Sequence, residues 1–132
     1  ARLDLMPTIR ALLQRDRQRE TSASMPGADL YSAGAAFTSP GGHGTQFPNP
    51  PHEVGSPAEA RAQVAELAKR EPDVVKLIYI PSNERIPSID RATREAIVDE
   101  AHAHGIPVVA HVDHWGDALH VVRAGADAHR FI

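Results

Sequence analysis

Lys76 is the first residue that invites chemistry. It interrupts the run Asp73-Val74-Val75-Lys76-Leu77-Ile78-Tyr79-Ile80, which is otherwise almost continuously apolar. An ammonium buried in such surroundings is costly unless it is paired or loses its charge. Three readings stand side by side. The lysine lies near a strand end and snorkels to water, or it is a reactive amine, or CO2 has converted it to a carbamate. A carbamate is an anionic oxygen ligand able to bridge two divalent metals. His111 closes the similar run Pro107-Val108-Val109-Ala110-His111, and His129 lies on the next expected strand. In α/β barrels and open sheets, ligands bind beyond the carboxyl ends of the strands. Lys76, His111 and His129 on three neighbouring strands are therefore candidate metal ligands, although a lone strand-end histidine is more often a core or hydrogen-bonding residue.

Pro40-Gly41-Gly42-His43-Gly44-Thr45 follows another expected strand. Such a loop would offer backbone donors and one imidazole at the same strand end, which makes His43 a candidate for the substrate side of a pocket. The phosphate-binding ending Gly-Lys-Ser/Thr is missing, and so is the GxGxxG fingerprint. Tyr79, three residues after Lys76, could bring a hydroxyl to the substrate. His102 and His104 have metal-site spacing, but in the last turn of a helix they point about 200° apart and suit the helix dipole better. His114 falls in the loop or first turn after a strand, near the candidate site without ligating. The sequence has no serine nucleophile elbow and no obvious pair of catalytic carboxylates.

The elements that must position these residues are legible as a pattern. Leu5, Ile9, Leu12 and Leu13 predict a helix from residue 3 to about 19, and Ala28 to Phe37 reads as a strand. Nine Pro or Gly among the 18 residues from Pro40 to Pro57 predict a long loop; loops of that length are often functional. Ser56, Pro57 and Glu59 mark a helix start with a capping box, and Ala60, Val64, Leu67 and Ala68 share one face. Asp73 to Ile80 suits a parallel strand buried on both faces. Ser88 to His104 is a second helix, with Ile89, Ala92, Ala96, Ile97 and Ala101 inward and Gly105 as its stop. Pro107 to Val112 is a strand. Trp115, Ala118, Leu119 and Val122 give a third helix ending at Gly125, and Asp127 to Ile132 a last strand. Alternating β and α elements imply a parallel sheet.

Composition narrows the partners. The 132 residues carry a net charge of −3, with 42% hydrophobic and 5% aromatic residues. This suits one compact domain and gives no electrostatic or stacking case for nucleic acid. No apolar stretch is long enough to span a membrane. The absence of cysteine excludes disulfides, thiolate zinc sites and a cysteine nucleophile.

Four segments in order carry a family resemblance: Ser39-Pro40-Gly41-Gly42-His43-Gly44, Asp73 to Tyr79, Glu100 to His111 (with His102, His104, Gly105 and Pro107), and Ala124-Gly125-Ala126-Asp127-Ala128. Together they resemble the metal-dependent amidohydrolase superfamily, in the branch of imidazolonepropionase-like enzymes and Xaa-Pro or Xaa-Arg dipeptidases. The resemblance implies an α/β fold, a (β/α)8 TIM barrel, of which the chain covers about strands 3–6 with their helices. Residues 1–132 would form a single segment, incomplete at both ends, since a full barrel needs about 250 residues. The chain starts without Met, as if inside a longer protein, and a cytoplasmic location is expected.

The resemblance further implies a hydrolase of amide or peptide C–N bonds, a metallopeptidase using one or two divalent metals, zinc foremost. Lys76 matches the carboxylated lysine that bridges them, His111 a strand-5 ligand, and His43 a histidine on the substrate side. At the strand-6 ligand Phe131 takes the ungapped place, and a two-residue deletion would restore His129. The first-strand His-x-His and the late-strand aspartate of the family are absent. The expectation is a fragment with an incomplete site, inactive alone; the expected partners are a small peptide or amide substrate and an oligomer or complementing chain. The alternative is a non-catalytic α/β binding or scaffold module that retains the barrel pattern.

Overall fold

The computed structural model describes residues 31–131. The helix expected over residues 3–19 and the start of the strand expected from Ala28 lie outside the described residues. Within them the order is β1 (Phe37–Thr38), β2 (His52–Glu53), α1 (Pro57–Ala68), β3 (Val75–Ile78), α2 (Arg91–Ala103), β4 (Val108–Val112), α3 (Trp115–Arg123) and β5 (Ala128–Phe131). The strands form one sheet in the order β2-β1-β3-β4-β5, and every pairing is parallel. No helix of the described residues is long and apolar enough to cross a membrane.

The sheet has two unlike faces because side chains alternate along each strand. Phe37, Val75, Leu77, Val108, Ala110 and Val112 are fully buried in one core with Ala60 and Val64 of α1, Ile97 and Ala101 of α2, and Val121 of α3. That is the helix-covered face. Thr38, Lys76, Ile78, Val109 and His111 alternate with those residues and so point to the other face. The register fixes their relative heights, with Lys76 beside Val109 and Ile78 beside His111.

The helix starts follow local chemistry. The Ser56 hydroxyl accepts from the Glu59 N–H at 3.3 Å, and Pro57 fills the first helical position. The Glu59 carboxylate reaches back to the N–H of Gly55 rather than to that of Ser56, a capping box displaced by one residue. Asp90 caps α2 by accepting from the Thr93 N–H at 2.7 Å. Helices α2 and α3 run out just before Gly105 and Gly125, where the Ile106 N–H returns to Ala101 and the Ala126 N–H to Val121.

Four expectations are corrected. Of the strand expected from Ala28 to Phe37, residues 31–36 form no strand and pairing begins only at Phe37. Inside the loop expected from Pro40 to Pro57, His52–Glu53 forms β2, because the His52 and Val54 N–H groups donate to Ala36 and Thr38 and Val54 is buried. In α2, Ala92 is exposed, while Thr93, Arg94 and Val98 are buried. In α3, Trp115, Leu119 and Val122 are exposed, and Asp117, Ala118 and Val121 face inward.

Candidate functional site

The carboxyl ends of β3 and β4 and the loop after β1 meet at one place. Ser39, Pro40, Gly41 and Gly42 form a tight turn, with the Gly42 N–H donating to the Ser39 carbonyl at 2.8 Å and Gly41 at φ +68°. Proline followed by a residue of positive φ is the signature of a type II turn. A Cβ on Gly42 would lie 2.4 Å from the Thr38 hydroxyl oxygen and 2.8 Å from the Ser39 carbonyl oxygen, so only glycine fits. This turn carries the chain back over the sheet, where a Cβ on Gly44 would touch Ile78. It sets the His43 ring on the His111 ring, 5.4 Å between centroids and 24° between planes.

His111 is buried. Burial, foremost, holds its pKa below the ordinary histidine value; the nearby charges of Lys76 and His43 push the same way and Asp113 opposes them. The Asp113 carboxylate lies 3.4 Å from Nε2 of His111. His43, Lys76 and Asp113 thus all act on His111, and a neutral His111 imidazole is the form that can ligate a metal or accept a proton. Asp113 was missed in the sequence because it is exposed and outside any strand; its place two residues after His111 was the available signal.

Four of the loop's backbone donors are already engaged, among them that of Gly42 in the turn itself. The Gly41 N–H donates to Glu53 at 2.9 Å, that of Gly44 to the Gln46 side chain, and that of Thr45 to Gly42. Its contribution to the site is the imidazole.

Two candidates lie elsewhere. Tyr79, an odd number of residues from Lys76, turns to the helix-covered face and belongs to the core there; its hydroxyl meets Nδ1 of His120 at 3.0 Å. His129 pairs in register with Ala110, whereas Arg130 pairs with His111. Its position therefore belongs to the face opposite His111 and Lys76. His102 and His104 sit at the end of α2 beside Asp127 and Glu100. His114 caps α3, its Nδ1 accepting from the Gly116 N–H at 3.1 Å.

Among the described residues, no three His, Asp or Glu side chains converge as a metal cage. His111, and Lys76 if carbamylated, would offer two donors, which do not amount to a complete centre.

No family model matches the sequence, and no curated protein matches it. The fold does have solved counterparts. A prolidase complexed with N-methylphosphonate-L-proline matches with a TM-score of 0.69 at 21% identity, over 88% of this chain and 33% of that one. A Xaa-Pro dipeptidase with bound methionine matches with a TM-score of 0.66 at 20% identity, again over 88% and 33%. Ochratoxinase of A. niger gives 0.66 at 19% identity, over 87% and 33%. The chain spans about a third of the length of these structures. Its fold is that of a segment of the prolidase and amidohydrolase-type proteins, and the motif resemblance extends to three dimensions.

Proposed function

We propose that this chain is a segment of a metal-dependent hydrolase of amide or peptide C–N bonds, built as part of a (β/α)8 barrel. The observation that carries the reading is the meeting of His43, Lys76 and His111 at one strand end, in a fold shared with prolidase and Xaa-Pro dipeptidase structures. In this reading His111 and a carbamylated Lys76 are donors to a divalent metal, and zinc is the first candidate. His43 lies on the substrate side, where its ring can hydrogen-bond a bound peptide or amide. A bound metal would supply an activated water and polarise the scissile carbonyl. The chain's own residues hold a neutral imidazole ready at His111 and place a second one on it. With no three-donor cluster among the described residues, the site is part of a larger one, completed by further chain or by a partner.

Zinc titration of the purified chain in bicarbonate, with bound metal counted, tests this. Stoichiometric zinc is expected, weakened about tenfold or more by His111→Ala, since loss of even an outer partner costs 10–100-fold. Lys76 should show the added mass of CO2, and Xaa-Pro dipeptides should not turn over. A protein that takes up no zinc and keeps an unmodified Lys76 would instead be the non-catalytic scaffold.

A further inference from the structure

The helix-covered side of the sheet holds a second polar cluster, away from the stacked histidines. Tyr79 emerges there from the end of β3 between α2 and α3. The Arg94 guanidinium lies over its ring, 4.2 Å from the centroid. The Tyr79 hydroxyl meets Nδ1 of His120 at 3.0 Å. Arg91, Glu95 and Arg123 complete the walls of a groove of about 370 Å³. That volume falls within the range of small-molecule sites, roughly 300–1,000 Å³.

Arg94 makes this groove unusual. It is only 5% exposed, and its buried Nε has no hydrogen-bond partner. Arginine keeps its charge in proteins, so burial cannot be relieved by losing a proton. A buried guanidinium is normally matched by a carboxylate or a bound oxyanion. Among the described residues no carboxylate pairs with Arg94; Glu95, on the same wall, is taken by Arg91 at 2.7 Å. Three arginines against one glutamate leave the lining with two net positive charges when His120 is neutral. In the tautomer whose Nδ1 accepts from the phenol, the Nε2 hydrogen of His120 is a further donor.

We propose that this groove binds a phosphate-class dianion, either inorganic phosphate or the phosphoryl group of a small molecule. The charge of the dianion equals that of the lining. Its oxygens suit the planar fork of Arg94 and the separate donors of Arg123 and His120. The chain's overall charge of −3 and the small extent of the cluster argue against a nucleic-acid backbone, which calls for a basic stripe. The site is independent of the hydrolytic reading, because it lies on the other face of the sheet.

Calorimetric titration of the whole chain with inorganic phosphate, against chloride at matched ionic strength and pH, tests the proposal. Saturable one-to-one binding is expected for phosphate and none for chloride. Arg123→Gln alters an exposed side chain and should weaken phosphate binding at least tenfold, leaving Tm in phosphate-free buffer unchanged. Arg94→Lys retains the charge without the fork and should also weaken it, which checks the buried residue without emptying its place. Glycerol phosphate separates the sources: tighter binding than phosphate indicates a phosphorylated small molecule, equal binding the free ion. No saturable heat with either probe, or an Arg123→Gln protein that binds like the parent, would overturn the proposal.

Discussion

The Asp127 carboxylate ties three elements together. One oxygen accepts from the Val108 N–H at 2.7 Å and lies 2.8 Å from Nε2 of His102, so it joins the starts of β4 and β5 to the end of α2. The Val108 N–H, foremost, and His102 hold this carboxyl below its ordinary value. A depressed carboxyl stabilises the fold only while it is ionised. That contribution is complete above the ordinary aspartate pKa of about 3.9 and is lost as pH falls from there through the lower folded-state value. Asp127→Asn keeps an acceptor for Val108 and removes the charge. It should cost at most about 1 kcal/mol at pH 7, because the side chain is half exposed, and should flatten the fall in stability as pH drops below about 4. Urea unfolding across that range checks it; parallel curves for the two proteins would exclude Asp127 as the source. Candidate residues were legible to a similar depth. Lys76, His111 and His43 stand out as candidates because strand ends and a Gly-rich turn mark them. The misplacement of Tyr79 was legible too, since a spacing of three reverses the face of a strand. That of His129 was not, because its face depends on pairing with β4, and register is a property of two strands.

At the scale of elements, the turn before His43 does the positioning. Gly42→Ala puts a methyl against the Thr38 hydroxyl and the Ser39 carbonyl at distances real Cβ atoms do not tolerate. One of the two oxygens is backbone, so the loop itself must move. Overpacking of this kind costs about 1–3 kcal/mol, and the His43 ring should leave His111. In ¹H–¹⁵N imidazole spectra both rings should then shift, with backbone shifts of α1 to α3 little changed. If His43 keeps its shifts, the turn does not set the stack. Ser56→Ala removes the cap of α1 and should lower stability by about 1 kcal/mol, read as a lower urea midpoint at unchanged slope. This helix was legible because its start is written in three adjacent residues. Strand β2 was not, since a two-residue strand has no periodicity. It exists through the His52 and Val54 N–H groups finding acceptors on β1, a fact of tertiary pairing.

At the scale of the whole molecule, the question is which side of α3 meets the sheet. The sequence offers the stripe of Trp115, Leu119 and Val122, yet these are 72%, 44% and 52% exposed, while Val121 is fully buried. The small inward residues Ala118 and Val121, with Asp117 bonded to the Ser82 hydroxyl at 2.7 Å, let α3 lie close against β4 and β5. The larger apolar side chains are left outside, so apolarity alone picked the wrong face. The layering of helices on one side of a parallel sheet was legible from the alternation of elements. The rotation of this short helix was not, because it depends on the space the sheet leaves. Opposite mutational costs follow. Leu119→Gln and Val122→Gln should each change stability by no more than about 0.5 kcal/mol, as surface substitutions do. Val121→Ala should cost roughly 1.5–3 kcal/mol through lost burial. Trp115 is the chain's single tryptophan, so intrinsic fluorescence reads this helix alone. The folded protein should emit as a water-exposed indole, be quenched by acrylamide nearly as readily as the unfolded chain, and shift little on unfolding in urea. A blue-shifted, protected indole, or a Leu119→Gln cost matching that of Val121→Ala, would mean that α3 presents its large apolar stripe to a packed surface instead.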